Sequence, residues 1–208
     1  MAWLALVRHG ESEWNALGKW TGKTDVSLTD KGKSEAQQAG EALCQLGVPI
    51  ESVYTSSLKR ANETYDEMKK ELKSDVEQVK NVALDERDYG VFTGKNKWDV
   101  QHEIGEEQFQ NIRRGWDTTI PEGESLEQVY ARVVPYYKEH ILPDLLAGKN
   151  VLVVAHGNSL RALVKYLESL DNTEVEKVEL GTGEVCCYNI DDKATVCDKR
   201  ILQSGKPA

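Results

Sequence analysis

The chain has 208 residues, of which 39% are hydrophobic and 29% charged, and its formal net charge is -9. This length suits a single α/β domain with a core of ordinary size. The negative charge disfavours nucleic acid and anionic membrane surfaces as partners. A small anionic substrate remains open, because charges are screened over about 10 Å at moderate salt and a pocket can be locally basic.

The sequence also indicates the compartment. No apolar run approaches the roughly 20 residues of a membrane helix, and the N-terminal run is too short for a signal peptide. We therefore expect a cytoplasmic protein. None of the cysteines has the spacing of a metal site, so we expect reduced thiols buried in the core. The four cysteines are Cys44, Cys186, Cys187 and Cys197.

Apolar runs alternate with helical periods, which predicts a three-layer α/β/α fold with a mainly parallel sheet between the helices. The first half of the chain predicts strands at residues 3–7, 52–55 and 76–82 and helices at 30–46 and 58–72. Thr29 and Gly47 mark the expected start and end of the first long helix. No linker or repeat interrupts the pattern, so residues 1–208 are expected to form one domain.

The middle segment, residues 85–124, is polar and irregular, with short helices at most. Connections of this length in compact domains are usually functional. Ser125 and Gln128 then form a capping box for a helix that reaches Ile141, and Pro135 should distort this helix. The last predicted elements are a strand at 151–155, a helix at 158–170 and a hairpin of strands at 184–190 and 196–202.

Two buried strand ends carry a histidine followed by glycine. His9-Gly10 follows the first strand, and His156-Gly157 follows the strand at 151–155. In a parallel sheet both histidines emerge at the carboxyl edge, where open α/β folds bind ligands. A single His-Gly is more often a structural feature, but two of them at strand ends favour one shared crevice.

The residues around these histidines indicate the chemistry. Neither histidine has the spacing of a metal ligand set, and no Gly-x-Ser-x-Gly elbow or Walker-type loop is present. Arginines are present instead, at Arg8, Arg60, Arg113, Arg114 and Arg161. Guanidinium groups bind phosphate in a bidentate manner, so a phosphorylated substrate is indicated. A neutral imidazole can attack its phosphorus while cationic groups stabilise the equatorial oxygens.

The segment Leu6-Val7-Arg8-His9-Gly10-Glu11-Ser12 resembles the histidine phosphatase superfamily, which carries Arg-His-Gly at the end of its first strand. Further segments are similar to the 2,3-bisphosphoglycerate-dependent phosphoglycerate mutases, and they lie at residues 13–15, 21–22, 54–61, 86–90, 94–97, 113–115 and 155–163. This resemblance runs nearly end to end. It implies an isomerase of glycolysis and gluconeogenesis that interconverts 3-phosphoglycerate and 2-phosphoglycerate. It also implies priming by 2,3-bisphosphoglycerate as phosphoryl donor and no metal.

The resemblance assigns a role to each matching residue. His9 would become phosphohistidine, His156 would stabilise the transferring phosphoryl group, and Glu86 would move the proton of the substrate hydroxyl. The phosphoryl oxygens would be held by Arg8, Arg60 and Asn15. The rest of the substrate site would comprise Thr21, Gly22, Tyr89, Lys97, Arg113, Arg114, Gly157 and Asn158.

Structural roles stay open for several of these residues. The arginine pair could be a solvated helix face, Lys97 a surface residue and Asn15 part of an Asx turn. Glu86 could pair with Arg60 or with Arg87. Three residues are left outside the predicted site: Arg161, expected to pair with a helix-end carboxylate, and His102 and His140, expected to be surface or structural.

The chain departs from longer members of the family. It lacks the insertion that follows their Arg-Arg-Gly segment, which favours a monomer or dimer over a tetramer. Its tail at 203–208 is short, which would give the site a thinner cover. Because phosphohistidine must be shielded from water, a phosphatase of the same superfamily, acting on a small phosphomonoester, stays the alternative. A non-catalytic protein that binds a phosphorylated partner is disfavoured, since His9 and Glu86 are both present.

Overall fold

A computed structural model describes residues 1–202, and the tail at 203–208, on which the expectation of a thinner cover rests, lies outside them. The strands are β1 (Ala2–Arg8), β2 (Ser52–Ser56), β3 (Gln78–Asn81), β4 (Val151–Ala155), β5 (Val185–Ile190) and β6 (Val196–Leu202). They form one sheet in the order β3-β2-β4-β1-β5-β6. Strands β3, β2, β4 and β1 run parallel to one another. Strand β5 is antiparallel to β1, and β6 is antiparallel to β5. The expected mainly parallel sheet is therefore confirmed.

The α-helices of the described residues are α1 (Glu13–Ala16), α2 (Asp30–Cys44), α3 (Lys59–Leu72), α4 (Lys97–Ile104), α5 (Glu106–Arg114), α6 (Leu126–Tyr136), α7 (Leu142–Leu146), α8 (Gly157–Leu167) and α9 (Asn172–Lys177). Short 3-10 helices occur at Val82–Leu84 and Gly90–Phe92, and a π-helical turn at Tyr137–Ile141. None of the helices within residues 1–202 is long and apolar enough to cross a membrane.

Alternate residues of the strands face two separate hydrophobic clusters, because the side chains of a strand point to opposite faces of its sheet. On one face Leu6 and Val153 pack in a cluster with residues of α6, α7, α8 and α9. On the other face Val7 and Val154 pack in a cluster with residues of α2 and α3. The sheet thus lies between two helical layers, which confirms the α/β/α fold.

Helix boundaries follow local chemistry. The Thr29 hydroxyl accepts a hydrogen bond from the Gly32 N–H at 3.0 Å, as expected of the residue that begins α2. The distortion expected at Pro135 is also confirmed, since α6 passes into the π-helical turn just after it. Proline has no N–H to donate within a helix, and such breaks accommodate the loss.

Several predicted ends are wrong. Helix α2 ends at Cys44 rather than at residue 46, and strand β3 begins at Gln78 rather than at residue 76. Strand β3 ends at Asn81, because the Asn81 side chain accepts a hydrogen bond from the Ala83 N–H at 2.8 Å and begins a 3-10 helix there. Helix α8 ends at Leu167 rather than at residue 170, because Ser169 has a φ of 53°, which a right-handed helix does not allow.

The expectation that all four thiols lie in the core is wrong for two of them. All four cysteines are free, but only Cys186 and Cys187, on the central strand β5, are buried. Cys44 is exposed because it lies at the end of α2, and Cys197 is exposed because it lies on the edge strand β6.

The middle segment 85–124 contains only short helices, as expected, and together with Trp20 it forms a third hydrophobic cluster. The buried members of this third cluster are Trp20, Tyr89, Val100, Phe109, Ile112 and Ile120. The guanidinium of Arg87 is fully buried and donates to the backbone carbonyls of Ile112, Thr118 and Glu124. These contacts hold the middle segment together, and its residue Tyr89 reaches the cavity described next.

Candidate active site

An open cavity lies at the carboxyl edge of β1, β2 and β4. Its wall is formed by Arg8, His9, Asn15, Trp20, Thr21, Gly22, Arg60, Glu86, Tyr89, Lys97, Arg113, Arg114, Gly157, Asn158, Arg161, Glu179 and Leu180. Six of these side chains are arginine or lysine, and two are carboxylates. A strongly cationic cavity therefore exists within an acidic protein, and it is suited to an anionic ligand.

His9 follows β1 and is held by the neighbouring strand, since its backbone N–H donates to the carbonyl of Ala155 at 3.0 Å. The chain must approach α2 closely here. A Cβ on Gly10 would lie 2.1 Å from the Gly32 carbonyl oxygen, so no larger residue fits after the histidine. The backbone thus fixes where the imidazole of His9 enters the cavity.

Two hydrogen bonds define the tautomer of His9. Its Nδ1 lies 2.7 Å from the Gly10 carbonyl oxygen, which can only accept, so Nδ1 carries the proton. Its Nε2 lies 3.3 Å from the Nε of Arg60, which can only donate. The lone pair of a neutral imidazole is consequently on Nε2. Burial, followed by the charges of Arg60 and Arg8, lowers the pKa of His9 well below 6.5, which keeps the ring neutral.

The two cations at His9 come from different elements. Arg60, in the first turn of α3, is 1% exposed and also donates to the carbonyls of Gly22 and Thr24 at 2.8 and 2.9 Å. Arg8, the last residue of β1, donates from Nη1 to the Leu180 carbonyl at 2.7 Å. The Nε of Arg8 is buried and has no hydrogen-bond partner within residues 1–202, so it is available to a ligand.

His156 packs directly against His9, with 4.9 Å between the ring centroids. It is fully buried and so does not contribute to the exposed wall of the cavity. Its Nε2 lies 2.7 Å from the Ser56 hydroxyl, and its Nδ1 is buried without a partner among the described residues. Burial, then the charges of Arg60, His9 and Arg8, lowers the pKa of His156 well below 6.5.

Glu86 is held by N–H donors and not by an ion pair. One of its oxygens, Oε1, accepts from the backbone N–H of Arg87 at 2.8 Å and from the backbone and side-chain amides of Asn158, both at 3.1 Å. Within the described chain no salt bridge joins Glu86 to Arg60 or Arg87. The pairing considered for Glu86 from the sequence is therefore absent. The other oxygen, Oε2, lies near Gly157, where a Cβ would come within 3.7 Å of it.

Asn158 links several groups of the wall. Its side-chain amide donates to Tyr89 Oη at 2.8 Å as well as to Glu86, and its carbonyl oxygen accepts from Arg161 Nη1 at 3.1 Å. Asn158 lies in the first turn of α8, so the N-terminus of this helix faces the cavity with its partial positive charge.

A second cationic group lies at the ends of two helices of the middle segment. Lys97 begins α4, with its ammonium 5.7 Å from the Trp20 ring centroid. Burial, then the charges of Arg8 and Arg113, lowers the pKa of Lys97. Arg113 and Arg114 end α5, and Glu179 lies beside them, with its Oε1 2.7 Å from Arg114 Nη2.

The remaining predicted residues are also in the wall. Asn15 has the turn role that was left open, because its Oδ1 accepts from the Ser12 N–H and hydroxyl at 3.1 and 2.8 Å, yet it also lines the cavity. The Thr21 hydroxyl is buried without a partner in residues 1–202, and Gly22 provides a carbonyl to Arg60. His102 and His140 are exposed, as expected.

Sequence reasoning missed four residues of the wall, namely Trp20, Arg161, Glu179 and Leu180. The pairing expected for Arg161 is wrong: it is 4% exposed and donates to the carbonyls of Arg114 and Val175 and to Asn158, not to a carboxylate. Its position one turn after His156 was the available signal. Nothing in the sequence marked Glu179.

No group of three or more histidine, cysteine, aspartate or glutamate residues in the described part of the chain could hold a metal ion. The cavity instead presents one neutral histidine, two arginines around it, a buried second histidine and a separate cationic group. These features are suited to transfer of a phosphoryl group to a histidine.

The sequence comparison agrees with this chemistry. The model of the histidine phosphatase superfamily (branch 1) matches residues 4–201, and the chain belongs to this superfamily. Within it, the chain is 45% identical over 200 residues to the 2,3-bisphosphoglycerate-dependent phosphoglycerate mutase of Parvibaculum lavamentivorans, covering 96% of this chain and 95% of the relative. It is 47% identical over 200 residues to the protein of the same name from Rhodopseudomonas palustris, covering 96% and 97%.

Among solved structures, the alpha-ribazole phosphatase of Shigella flexneri is similar to this chain with a TM-score of 0.75. The sequences are 26% identical, and the match covers 97% of this chain and 96% of that one. The fold is thus shared with a phosphatase, whereas the higher sequence identity is to proteins named as mutases.

Proposed function

We propose that this protein is a 2,3-bisphosphoglycerate-dependent phosphoglycerate mutase, which interconverts 3-phosphoglycerate and 2-phosphoglycerate through phosphohistidine at His9. The observation that carries this proposal is the state of His9. Its ring is neutral, and Nε2 has the lone pair in contact with a buried arginine. A nucleophile of this kind needs no base to activate it.

The attack of Nε2 on phosphorus follows from these contacts. When a phosphoryl group arrives, the Nε–H of Arg60 turns from Nε2 to a phosphoryl oxygen, and the free Nε–H of Arg8 provides a second donor. The ring becomes positive as the new N–P bond forms. The hydrogen bond from Nδ1 to the Gly10 carbonyl stabilises this charge and persists throughout.

His156 supplies a further donor. The Leu58 N–H donates to the Ser56 hydroxyl oxygen at 3.2 Å, which leaves the hydroxyl proton free to bond Nε2 of His156. In the tautomer in which Nε2 accepts from the Ser56 hydroxyl, Nδ1 of a neutral His156 carries the ring proton, and this N–H has no hydrogen-bond partner among the described residues. We assign this N–H to an oxygen of the transferring phosphoryl group.

Glu86 acts on the substrate hydroxyl. Its Oε1 is occupied by three N–H donors, which leaves Oε2 as the atom that exchanges a proton. Gly157 keeps the space beside Oε2 and the Arg8 guanidinium open, because it has no side chain. As phosphohistidine forms and the bond from phosphorus to the substrate oxygen breaks, Oε2 protonates that oxygen to give the hydroxyl, and it removes the same proton when the phosphoryl group is returned.

The second cationic group explains why the phosphoryl group returns to the substrate. Phosphoglycerate is anionic at both ends, and Lys97, Arg113 and Arg114 are suited to the end that does not react. The bisphosphorylated intermediate exchanges its two phosphates between His9 and this group. Priming by 2,3-bisphosphoglycerate is the same step, with the donor bound as a substrate.

Assaying isomerisation with and without 2,3-bisphosphoglycerate tests the proposal. We expect 3-phosphoglycerate to be converted to 2-phosphoglycerate after a trace of 2,3-bisphosphoglycerate is added, and a long lag without it. The second candidate, a phosphatase, is favoured by the fold shared with the alpha-ribazole phosphatase. Release of inorganic phosphate without isomerisation would overturn the mutase and support the phosphatase.

A further inference from the structure

Glu179 is a carboxylate inside a cavity that is suited to anions. It follows α9 in the connection to β5, and its Oε1 accepts from Arg114 Nη2 at 2.7 Å and lies 3.9 Å from Arg113 Nη2. The hydrogen bond from Arg114, together with its charge, lowers the pKa of Glu179, so the group is ionised at neutral pH. A negative charge thus occupies the arginine pair when no ligand is bound.

The residues on either side of Glu179 bind two arginines of the cavity, Arg114 and Arg8, through their backbone carbonyls. Arg114 Nη1 donates to the Val178 carbonyl at 3.2 Å, and Arg8 Nη1 donates to the Leu180 carbonyl at 2.7 Å. These carbonyls belong to the chain and remain in place. The Glu179 side chain is 67% exposed, so it can leave the arginines for water without breaking any packing.

We propose that Glu179 is an internal competitor for the arginine pair Arg113-Arg114, which a ligand must displace to place its second anionic group there. The proposal rests on the proposed function in one respect, because it takes this pair as the site of the non-reacting end. A phosphomonoester without a second anionic group leaves Glu179 in place.

Competition between Glu179 and the substrate suits a reaction in which the bisphosphorylated intermediate must reverse its orientation in the cavity. An anion held too firmly by Arg113 and Arg114 would not exchange its ends. Since the carboxylate of Glu179 is ready to take over the arginines, it lowers the cost of releasing the substrate group. Glu179 thereby limits the affinity for ligands with two anionic ends and has little influence on ligands with one.

The test measures binding to the unprimed protein by titration calorimetry, with Glu179→Gln and two probes. 3-Phosphoglycerate has two anionic ends, whereas glycerol 3-phosphate has a phosphate and two hydroxyls. Glutamine retains an oxygen that accepts from Arg114 but lacks the charge, so it competes less well. We expect the variant to bind 3-phosphoglycerate about two- to five-fold more tightly, the effect of one exposed ion pair, and glycerol 3-phosphate as the wild type does.

Glu176→Gln is the matched control. Glu176 is an exposed residue of α9, and it forms no ion pair within the described chain. The Glu176→Gln variant should bind both probes as the wild type does. Unchanged or weaker binding of 3-phosphoglycerate by Glu179→Gln, equal tightening for both probes, or the same change in Glu176→Gln would overturn the proposal. Since no turnover is needed, a failure of the isomerase assay would refute the mutase and leave this result intact.

Discussion

The Nε–H of Arg60 donates to Nε2 of His9 at 3.3 Å, and the two side chains are only 1% and 2% exposed. An arginine beside a histidine that must remain neutral has two effects. Its charge disfavours protonation of the ring, and its N–H marks the direction in which the lone pair points. In the proposed reaction, the same guanidinium would bind the phosphoryl oxygens.

Arg60→Lys should slow phosphoenzyme formation about 100- to 1000-fold, the usual effect of losing a preorganised donor in a catalytic site. Lysine keeps the charge but cannot bond His9, Gly22 and Thr24 at once as the planar guanidinium does. Rapid-quench measurement of phosphohistidine gives the rate, and a thermal melt reports the fold. A variant with a normal rate but reduced stability would assign Arg60 a structural role only.

Glu86→Gln should lower the isomerisation rate by a factor of about 100 to 10,000, because the leaving hydroxyl loses its acid. Glutamine can still accept the N–H bonds of Arg87 and Asn158 through its oxygen. The informative substrate is p-nitrophenyl phosphate, whose leaving group departs without a proton. We expect its hydrolysis to be affected far less than isomerisation, and an equal loss on both substrates would contradict the role of Glu86 as an acid.

Ser56→Ala tests the orientation of His156. The substitution removes the hydroxyl that lies 2.7 Å from Nε2 and leaves the imidazole free to adopt its other tautomer. We expect kcat to fall about ten-fold, which corresponds to the net free energy of about one hydrogen bond, with little change in KM. Steady-state kinetics measure both constants. A rise in KM at constant kcat would show that Ser56 affects binding and not the transferring group.

The stability of the protein should fall as the pH drops below about 6.5. Burial lowers the pKa of both His9 and His156 in the folded protein, so the unfolded chain takes up protons there that the folded protein does not. The contribution of these two histidines to the free energy of unfolding is therefore fully present above the pKa that they have in the unfolded chain, and it decreases below that pKa. Each histidine contributes a slope of up to about 1.4 kcal/mol per pH unit.

Denaturant titrations between pH 5 and pH 7.5 measure this slope in a range that largely avoids the carboxylates. His156→Gln removes one of the two buried imidazoles and should reduce the slope to about half. His102→Gln, at an exposed position, is the control and should leave it unchanged. A wild type whose free energy of unfolding is flat across this range would contradict the burial of neutral histidines.

Much of the fold could be predicted because its signals are local. The apolar run of β4 and the capping box at Ser125 are both features of a few adjacent residues, and both lie where expected. The ends of β3 and α8 were less predictable. They depend on single contacts or dihedral angles at Asn81 and Ser169 that composition does not reveal.

For the site, a strand-end motif and its resemblance to a known family brought His9, His156 and Glu86 to attention. Residues that arrive from irregular connections, such as Glu179, have no comparable signal. The contact of Glu179 with Arg114 spans 65 positions of the sequence, and it forms only when α5 and the connection after α9 meet. The protonation state of His9 likewise depends on burial and on Arg60, which only the folded chain defines.

The most direct test is to incubate the protein with 2,3-bisphosphoglycerate labelled in its phosphates, map the labelled peptide, and then add unlabelled 3-phosphoglycerate. We expect label on His9, none on the His9→Ala variant, and transfer of the label to glycerate phosphates faster than to water. Label that remains in the His9→Ala variant, or label that leaves only as inorganic phosphate, would contradict a phosphohistidine relay at His9.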